Sequence, residues 1–218
     1  MNLLLLLCVG FLAVACPAAR AGSITREVYS DIGGNSIDDL INSPKYPNSP
    51  SETSELTEFF EAPTDVAEAY GQRVRGYVVP PVTGDYTFWI ASDDNGALYL
   101  STDSNPANKQ LIAQVTGWTG PRLWDVETGQ KSALIRLEAS RAYYIEALMK
   151  EGGGGDNLAV RWLRPDGLDE GPIPATYLLS AKIVFTKPKF TQMPASLTAP
   201  EGTTATFSVV LAPEGPAS

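Results

Sequence analysis

The 218-residue chain contains no histidine. That absence excludes Ser-His and Cys-His catalysis, imidazole metal sites and histidine pH switching. Cysteine is nearly absent too. Cys8 and Cys16 both lie in the first 21 residues, so a chain beginning at Gly22 has neither a disulfide nor a thiol nucleophile. Basic charge is scarce: 16 Lys and Arg face 25 Asp and Glu, for a net charge of −9. Such a chain is repelled by nucleic acid and by anionic lipid, so neither is expected as a partner. Carboxylates and backbone carbonyls remain for chemistry, and these are the ligands of hard cations such as Ca²⁺.

Long hydrophobic runs are missing except for Leu3 to Ala15. That run is too short to span a bilayer, and Ala19-Arg20-Ala21 follows it as a small-x-small cleavage site. Residues 1–21 therefore read as a signal peptide, although no Lys or Arg precedes the apolar run. A competing reading takes Cys16 as a lipid-anchored first residue after Leu12-Ala13-Val14-Ala15. The mature chain is expected to be secreted or held at the cell surface, without membrane insertion once the leader is removed.

The remainder reads as one domain, 23–181, followed by a fragment. A short helix is expected near its start. Ser36 can cap it, Asp38 and Asp39 suit its positive end, and Ile37, Leu40 and Ile41 share a face. The pair Asp38-Asp39 thus has a structural explanation and is assigned no chemistry. Residues 42–65, rich in Pro, Ser, Asn and Thr, predict an irregular surface loop. Beyond it the period is two: Tyr86, Phe88 and Ile90; Leu98 and Leu100; Ile135 and Leu137; Tyr143, Ile145, Ala147 and Met149; Leu158, Val160 and Trp162. Short alternating runs between Gly, Pro and Asp turns predict an all-β, antiparallel sandwich. From 182 to 218 the pattern suggests a linker and the opening strands of an immunoglobulin-like domain, too short to bury its own core. The chain is accordingly expected to be the amino-terminal piece of a longer protein, or a truncated product.

Two loops stand out as candidate chemistry. Asp93-Asp94 closes a strand and is followed by the turn-prone Asn95-Gly96. About sixty residues later, Gly152 to Gly155 precede Asp156 and Asn157. Adjacent aspartates on a regular strand point to opposite faces, so an irregular turn is needed for both to reach one ion. The glycines would let the second loop approach closely, and Asp156 or Asn157 could add an oxygen. Either string alone is most often a plain turn. Trp118 and Trp124 are candidates for a sugar-stacking platform or for covering the end of the sandwich. Trp89 and Trp162 fit the core. Arg122 and Lys150 are candidate hydrogen-bond donors to sugar hydroxyls.

Several motifs in order carry a resemblance: Gly84-Asp85-Tyr86-Thr87-Phe88, Ser92-Asp93-Asp94, Leu98-Tyr99-Leu100, the strand Tyr143 to Leu148, the glycine loop, Leu158 to Trp162, and Ile173-Pro174. From about Ile24 to Leu179 the chain resembles the PA-14 domain family. The resemblance implies a β-sandwich, a Ca²⁺ ion held by Asp93 and Asp94 across a cis peptide, a later asparagine, Asn157, completing the site, and carbohydrate as the ligand. Asp156 stays open as a replacement for Asn157. The expected function is a non-catalytic, calcium-dependent carbohydrate-binding module anchoring a larger protein to glycans. The alternatives are a structural or protein-interaction domain with a structural calcium ion, or an accessory domain of a glycoside hydrolase, whose two carboxylates need no histidine.

Overall fold

In the computed structural model, residues 22–182 are described, together with the backbone of 190–192 and 210–211. The signal-peptide reading of 1–21 lies outside the described residues, as does most of the immunoglobulin-like reading of 182–218. In chain order the elements are β1 (Ile24–Tyr29), α1 (Ile37–Ile41), β2 (Glu52–Leu56), β3 (Tyr70–Val78), β4 (Gly84–Asp93), β5 (Asn95–Ser101), β6 (Lys109–Val115), β7 (Ile135–Leu137), β8 (Tyr143–Glu151), β9 (Asn157–Leu163), β10 (Asp169–Glu170), β11 (Leu178–Ser180), β12 (Phe190–Gln192) and β13 (Val210–Leu211). Two antiparallel sheets form the sandwich. The larger runs β2-β1-β3-β8-β5-β6, with β11 also on β3; the smaller runs β10-β9-β4-β7. The pair β12–β13 stands as a separate two-stranded sheet.

The period-two sets meet between the sheets. Tyr86, Phe88 and Ile90 of β4 and Leu158, Val160 and Trp162 of β9 face Ile145, Ala147 and Met149 of β8 and Leu98 and Leu100 of β5, all buried. Trp162 packs 5.1 Å from the Tyr86 ring, centroid to centroid, and donates its indole N–H to Glu170 at 2.7 Å. Trp89 is buried differently. It lies outside this central cluster, with the Arg161 guanidinium 4.4 Å from its ring and the Lys131 ammonium at 5.2 Å.

The outer face of the larger sheet is roofed by α1. The Ser36 hydroxyl accepts from Asp39 N–H and the Asp39 carboxylate accepts from Ser36 N–H, closing a capping box. Leu40 is fully buried against Tyr29, Ala97 and Leu148, while Ile41 is largely exposed. The helix therefore docks on a narrower stripe than the sequence suggests. It docks closely because Gly71 carries no side chain: a Cβ there would sit 2.6 Å from a Leu40 methyl.

The expectation of an irregular 42–65 is corrected by β2, which pairs with β1 from Ile24↔Leu56 to Val28↔Glu52. An edge strand with exposed or half-buried side chains needs no apolar alternation, because its backbone bonds to a neighbour hold it. Strands β1 and β3 carry charge in buried positions. Glu27 pairs in register with Arg73 and receives hydrogen bonds from Arg73 Nε at 2.6 Å and from Arg75 Nη2 at 2.8 Å. Burial pushes the Glu27 carboxyl up, but the two guanidiniums outweigh it and hold it below the ordinary carboxylate value.

A carboxyl lowered in the folded state contributes stability above its unfolded pKa, and that contribution is lost as pH falls through the folded value. Glu27→Gln should destabilise the domain by about 3 kcal/mol near neutral pH, because the buried Arg73 and the half-buried Arg75 lose their partner. In thermal melts the gap from the parent chain should close on acidification below the ordinary carboxylate range. A gap that persists there would show that packing, not charge pairing, sets the loss.

Candidate functional site

The site lies where the chain changes sheets. Strand β4 belongs to the smaller sheet and β5 to the larger, and Asp94 alone separates Asp93 from Asn95. The Asp93–Asp94 peptide bond is cis. Strand β8 likewise leads from the larger sheet into β9 of the smaller through 152–156. Both crossings fall at one end of the sandwich, since Asp93 pairs with Asn157 and Asn95 with Lys150.

Oxygens from Asp93, Asp94 and Glu151 lie within 4.8 Å of one another there. Glu151 accepts the Asp94 N–H through Oε2 at 3.1 Å, and its buried Oε1 has no hydrogen-bond partner. Asp94 accepts the Gly152 N–H at 3.0 Å. Asn157 is 3% exposed; its Nδ2 donates to Thr119 C=O at 2.7 Å and its Oδ1 is unpartnered. Buried oxygens without donors, grouped with anionic ones, are what a hard cation requires. The donor set fits Ca²⁺.

The charges are close enough to oppose one another. Burial first, then Asp94, Asp156 and Asp65, push the Asp93 carboxyl up to about 6. Burial, then Asp94, Asp93 and Asp156, push Glu151 up to about 7. The nearby cation is Lys150, and it is not free to meet a ligand. It is fully buried, with Nζ donating to Gly34 C=O at 2.6 Å and Glu151 C=O at 2.5 Å. This corrects Lys150 as a sugar donor: alternation sends its side chain to the face roofed by 33–35, and its ammonium ties that loop to β8.

Asp156 is not one of the three grouped carboxylates, but its charge reaches Asp93 and Glu151 and its buried Oδ1, like the oxygens of Glu151 and Asn157, has no hydrogen-bond partner. Its Oδ2 accepts the N–H groups of Val66 (2.6 Å) and Ala67 (3.1 Å), so it secures the neighbouring loop. The glycine run suits its task. Gly154 has φ of +127°, a conformation open to glycine, and its N–H reaches Glu68 at 2.8 Å.

A third loop, 116–119, borders the site with its backbone engaged. Thr116 and Gly117 N–H groups donate to Glu127 at 2.8 and 3.0 Å, and their carbonyls accept from Asn95 Nδ2 at 2.9 and 3.2 Å. Thr119 N–H donates to Ser92 C=O at 2.7 Å. Out of this loop projects Trp118, 65% exposed. Trp124 is half-buried, so the two tryptophans are not equivalent. Arg122 forms a two-pronged ion pair with Glu61 at 2.8 and 2.6 Å, and its guanidinium is committed there.

Sequence reasoning missed Glu151 and the Asn95–Glu127 clamp. The signal for Glu151 was present: it continues the inward set Tyr143, Ile145, Ala147, Met149, where a carboxylate is out of place. The clamp left no local signal.

A family model described as PA14 domain matches residues 57–175. Among curated proteins, N-acetyl-beta-glucosaminyl-glycoprotein 4-beta-N-acetylgalactosaminyltransferase 1 of Mus musculus is 36% identical over 146 residues, 65% of this chain and 14% of that protein. The chain therefore spans a small part of that relative's length. Among solved structures, the PA14 sugar-binding domain from an RTX adhesin aligns with a TM-score of 0.54 at 11% identity, covering 74% of this chain and all of that one. The Epithelial Adhesin 6 A domain from Candida glabrata, in complex with Galb1-3GlcNAc, aligns with a TM-score of 0.51 at 14% identity, covering 77% and 88%. At these identities the two structures show the fold.

Carboxyls raised in the folded state stabilise it at low pH, and that contribution is lost as pH rises through the folded values. In chelator, Glu151→Gln should therefore raise the melting temperature at pH 8, with the gain fading by pH 5. An equal or lower melting temperature at pH 8 would mean that repulsion within the cluster is not limiting.

Proposed function

Because the chain belongs to the PA14 domain family, we propose that residues 22–182 form a non-catalytic, calcium-dependent carbohydrate-binding module of an exported protein. The observation that carries this reading is the convergence of the Asp93, Asp94 and Glu151 carboxylates, at the end of the sandwich where buried oxygens of Glu151, Asp156 and Asn157 have no hydrogen-bond partner. In it, Asp93, Asp94 and Glu151 would hold the ion together with Asn157, or with Asp156 in its place. These side chains supply about four of the six to eight oxygens Ca²⁺ takes. When bound, Ca²⁺ would supply the positive charge and open coordination that sugar hydroxyls can use. Trp118 then presents its ring to the apolar face of the sugar, held by a loop whose backbone needs no further ordering.

The Galb1-3GlcNAc bound in the Candida glabrata adhesin and the sugar-binding PA14 domain of the RTX adhesin support carbohydrate as the ligand class. Those adhesins also support an extracellular setting. The transferase name belongs to a protein of which this chain spans 14%. We assign the module no reaction, because the grouped carboxylates are committed to the ion. The acidic balance of the chain argues against nucleic acid as the partner. Among the described residues no helix is long and apolar enough to cross a membrane.

Calorimetry with Ca²⁺ and a glycan array with and without chelator test the reading. The parent chain should bind Ca²⁺, and its array signal should vanish in chelator. Asp93→Asn/Asp94→Asn should lose both. Trp118→Ala should keep its Ca²⁺ affinity while its glycan signal falls about tenfold, as expected for an exposed aromatic anchor. Calcium binding with no glycan signal on any array would reduce the ion to a structural one and sink the sugar assignment.

A further inference from the structure

Asn157 is asparagine where aspartate would give a cation a stronger ligand. Its surroundings supply a reason. The Nδ2 group donates to the carbonyl of Thr119 at 2.7 Å. A carbonyl accepts and never donates, so the amide is oriented with its nitrogen on that side. The other amide atom, Oδ1, is therefore turned away from Thr119, is buried, and has no partner. Across the sheet Asn157 pairs with Asp93, so the two side chains leave the backbone on the same face.

We infer that Asn157 is a positioning residue with two ends: Oδ1 serves the cation cluster while Nδ2 fixes the loop that carries Trp118. This rests on the calcium-and-sugar reading above and adds a linkage to it. The loop already has a tie from the residue next to Asp94, since Asn95 Nδ2 holds the carbonyls of Thr116 and Gly117. Asn157 adds one at the other end of the loop. Trp118 lies between the two, and each tie is at or beside a residue of the cation cluster. An ion seated on Oδ1 would draw on the same planar amide that holds Thr119, so this side chain joins the cation cluster to the loop alongside the Thr119–Ser92 bonds. An aspartate at 157 cannot do both. It offers oxygen to the ion but sets a second oxygen against the Thr119 carbonyl, and a buried acceptor loses its donor.

Asn157→Asp and Asn157→Ala separate the roles in the full chain. Three readouts are needed: Ca²⁺ affinity by calorimetry, hydrogen exchange at the Thr119 amide, which bonds to Ser92 C=O, and glycan-array signal. Asn157→Asp should bind Ca²⁺ within about threefold of the parent or more tightly, since ligand charge strengthens such sites. Its Thr119 exchange should speed up, and its glycan signal fall, each by about tenfold, the scale of one lost buried hydrogen bond. Asn157→Ala should lose on all three readouts. The linkage is overturned if Asn157→Asp keeps the parent's loop protection and glycan signal, or if it loses Ca²⁺ as severely as Asn157→Ala. A parent chain that binds no Ca²⁺ would fail the underlying reading instead, and that outcome is distinct because it appears before any variant is made.

Discussion

The chain has one residue, Asp94, in which to leave the smaller sheet and enter the larger. Everything at the functional end depends on that constraint. Strand β4 is locked to β9 as far as Asp93↔Asn157, and β5 is locked to β8 from Asn95↔Lys150. Both registers are fixed within three consecutive residues. Slipping either strand by one position would turn Tyr86, Phe88 and Ile90, or Leu98 and Leu100, out of the core. The interior thus decides where the aspartates stand, and the second crossing, from β8 to β9, brings Glu151 and Asn157 to the same end.

A consequence is that packing energy, spread over two dozen buried apolar side chains, holds together groups that repel each other. Asp93 and Glu151 take up protons more readily than ordinary carboxyls, with burial the largest cause and neighbouring carboxylates next. The scaffold offers partial relief. Backbone N–H groups of Asp94 and Gly152 meet Glu151 and Asp94, and Lys150 sits behind the cluster with its ammonium on two carbonyls. Oxygens remain unpartnered. A divalent cation would compensate such a surplus directly, and this is the physical ground of the proposed calcium site.

Beside the cluster the polypeptide takes the opposite course and leaves little to be ordered. Backbone groups of Thr116, Gly117 and Thr119 on either side of Trp118 are engaged by Glu127, Asn95, Ser92 and Asn157, while the Trp118 side chain stays in solvent. A large aromatic on a loop with its backbone bonded loses little entropy when it binds. Arg122, by contrast, is held by Glu61, so the neighbouring basic residue is part of the scaffold.

The sandwich, the capped helix and the two crossing loops could be read from the residues in order, because period-two alternation, capping residues and turn residues act over a few positions. Asp93-Asp94 and Asn157 were legible for that reason, with the family resemblance to join them. Strands β1, β2 and β3 were less so, since charged residues occupy buried positions of β1 and β3 and polar ones fill the edge strand β2. Which groups meet is visible in the folded chain alone. Glu151 stands 57 positions from Asp94 in sequence, Thr119 stands 38 from Asn157, and Lys150 faces a loop 116 positions away. Pairing across such separations is set by strand register and by where the chain crosses between sheets, and neither is a property of any local stretch of residues.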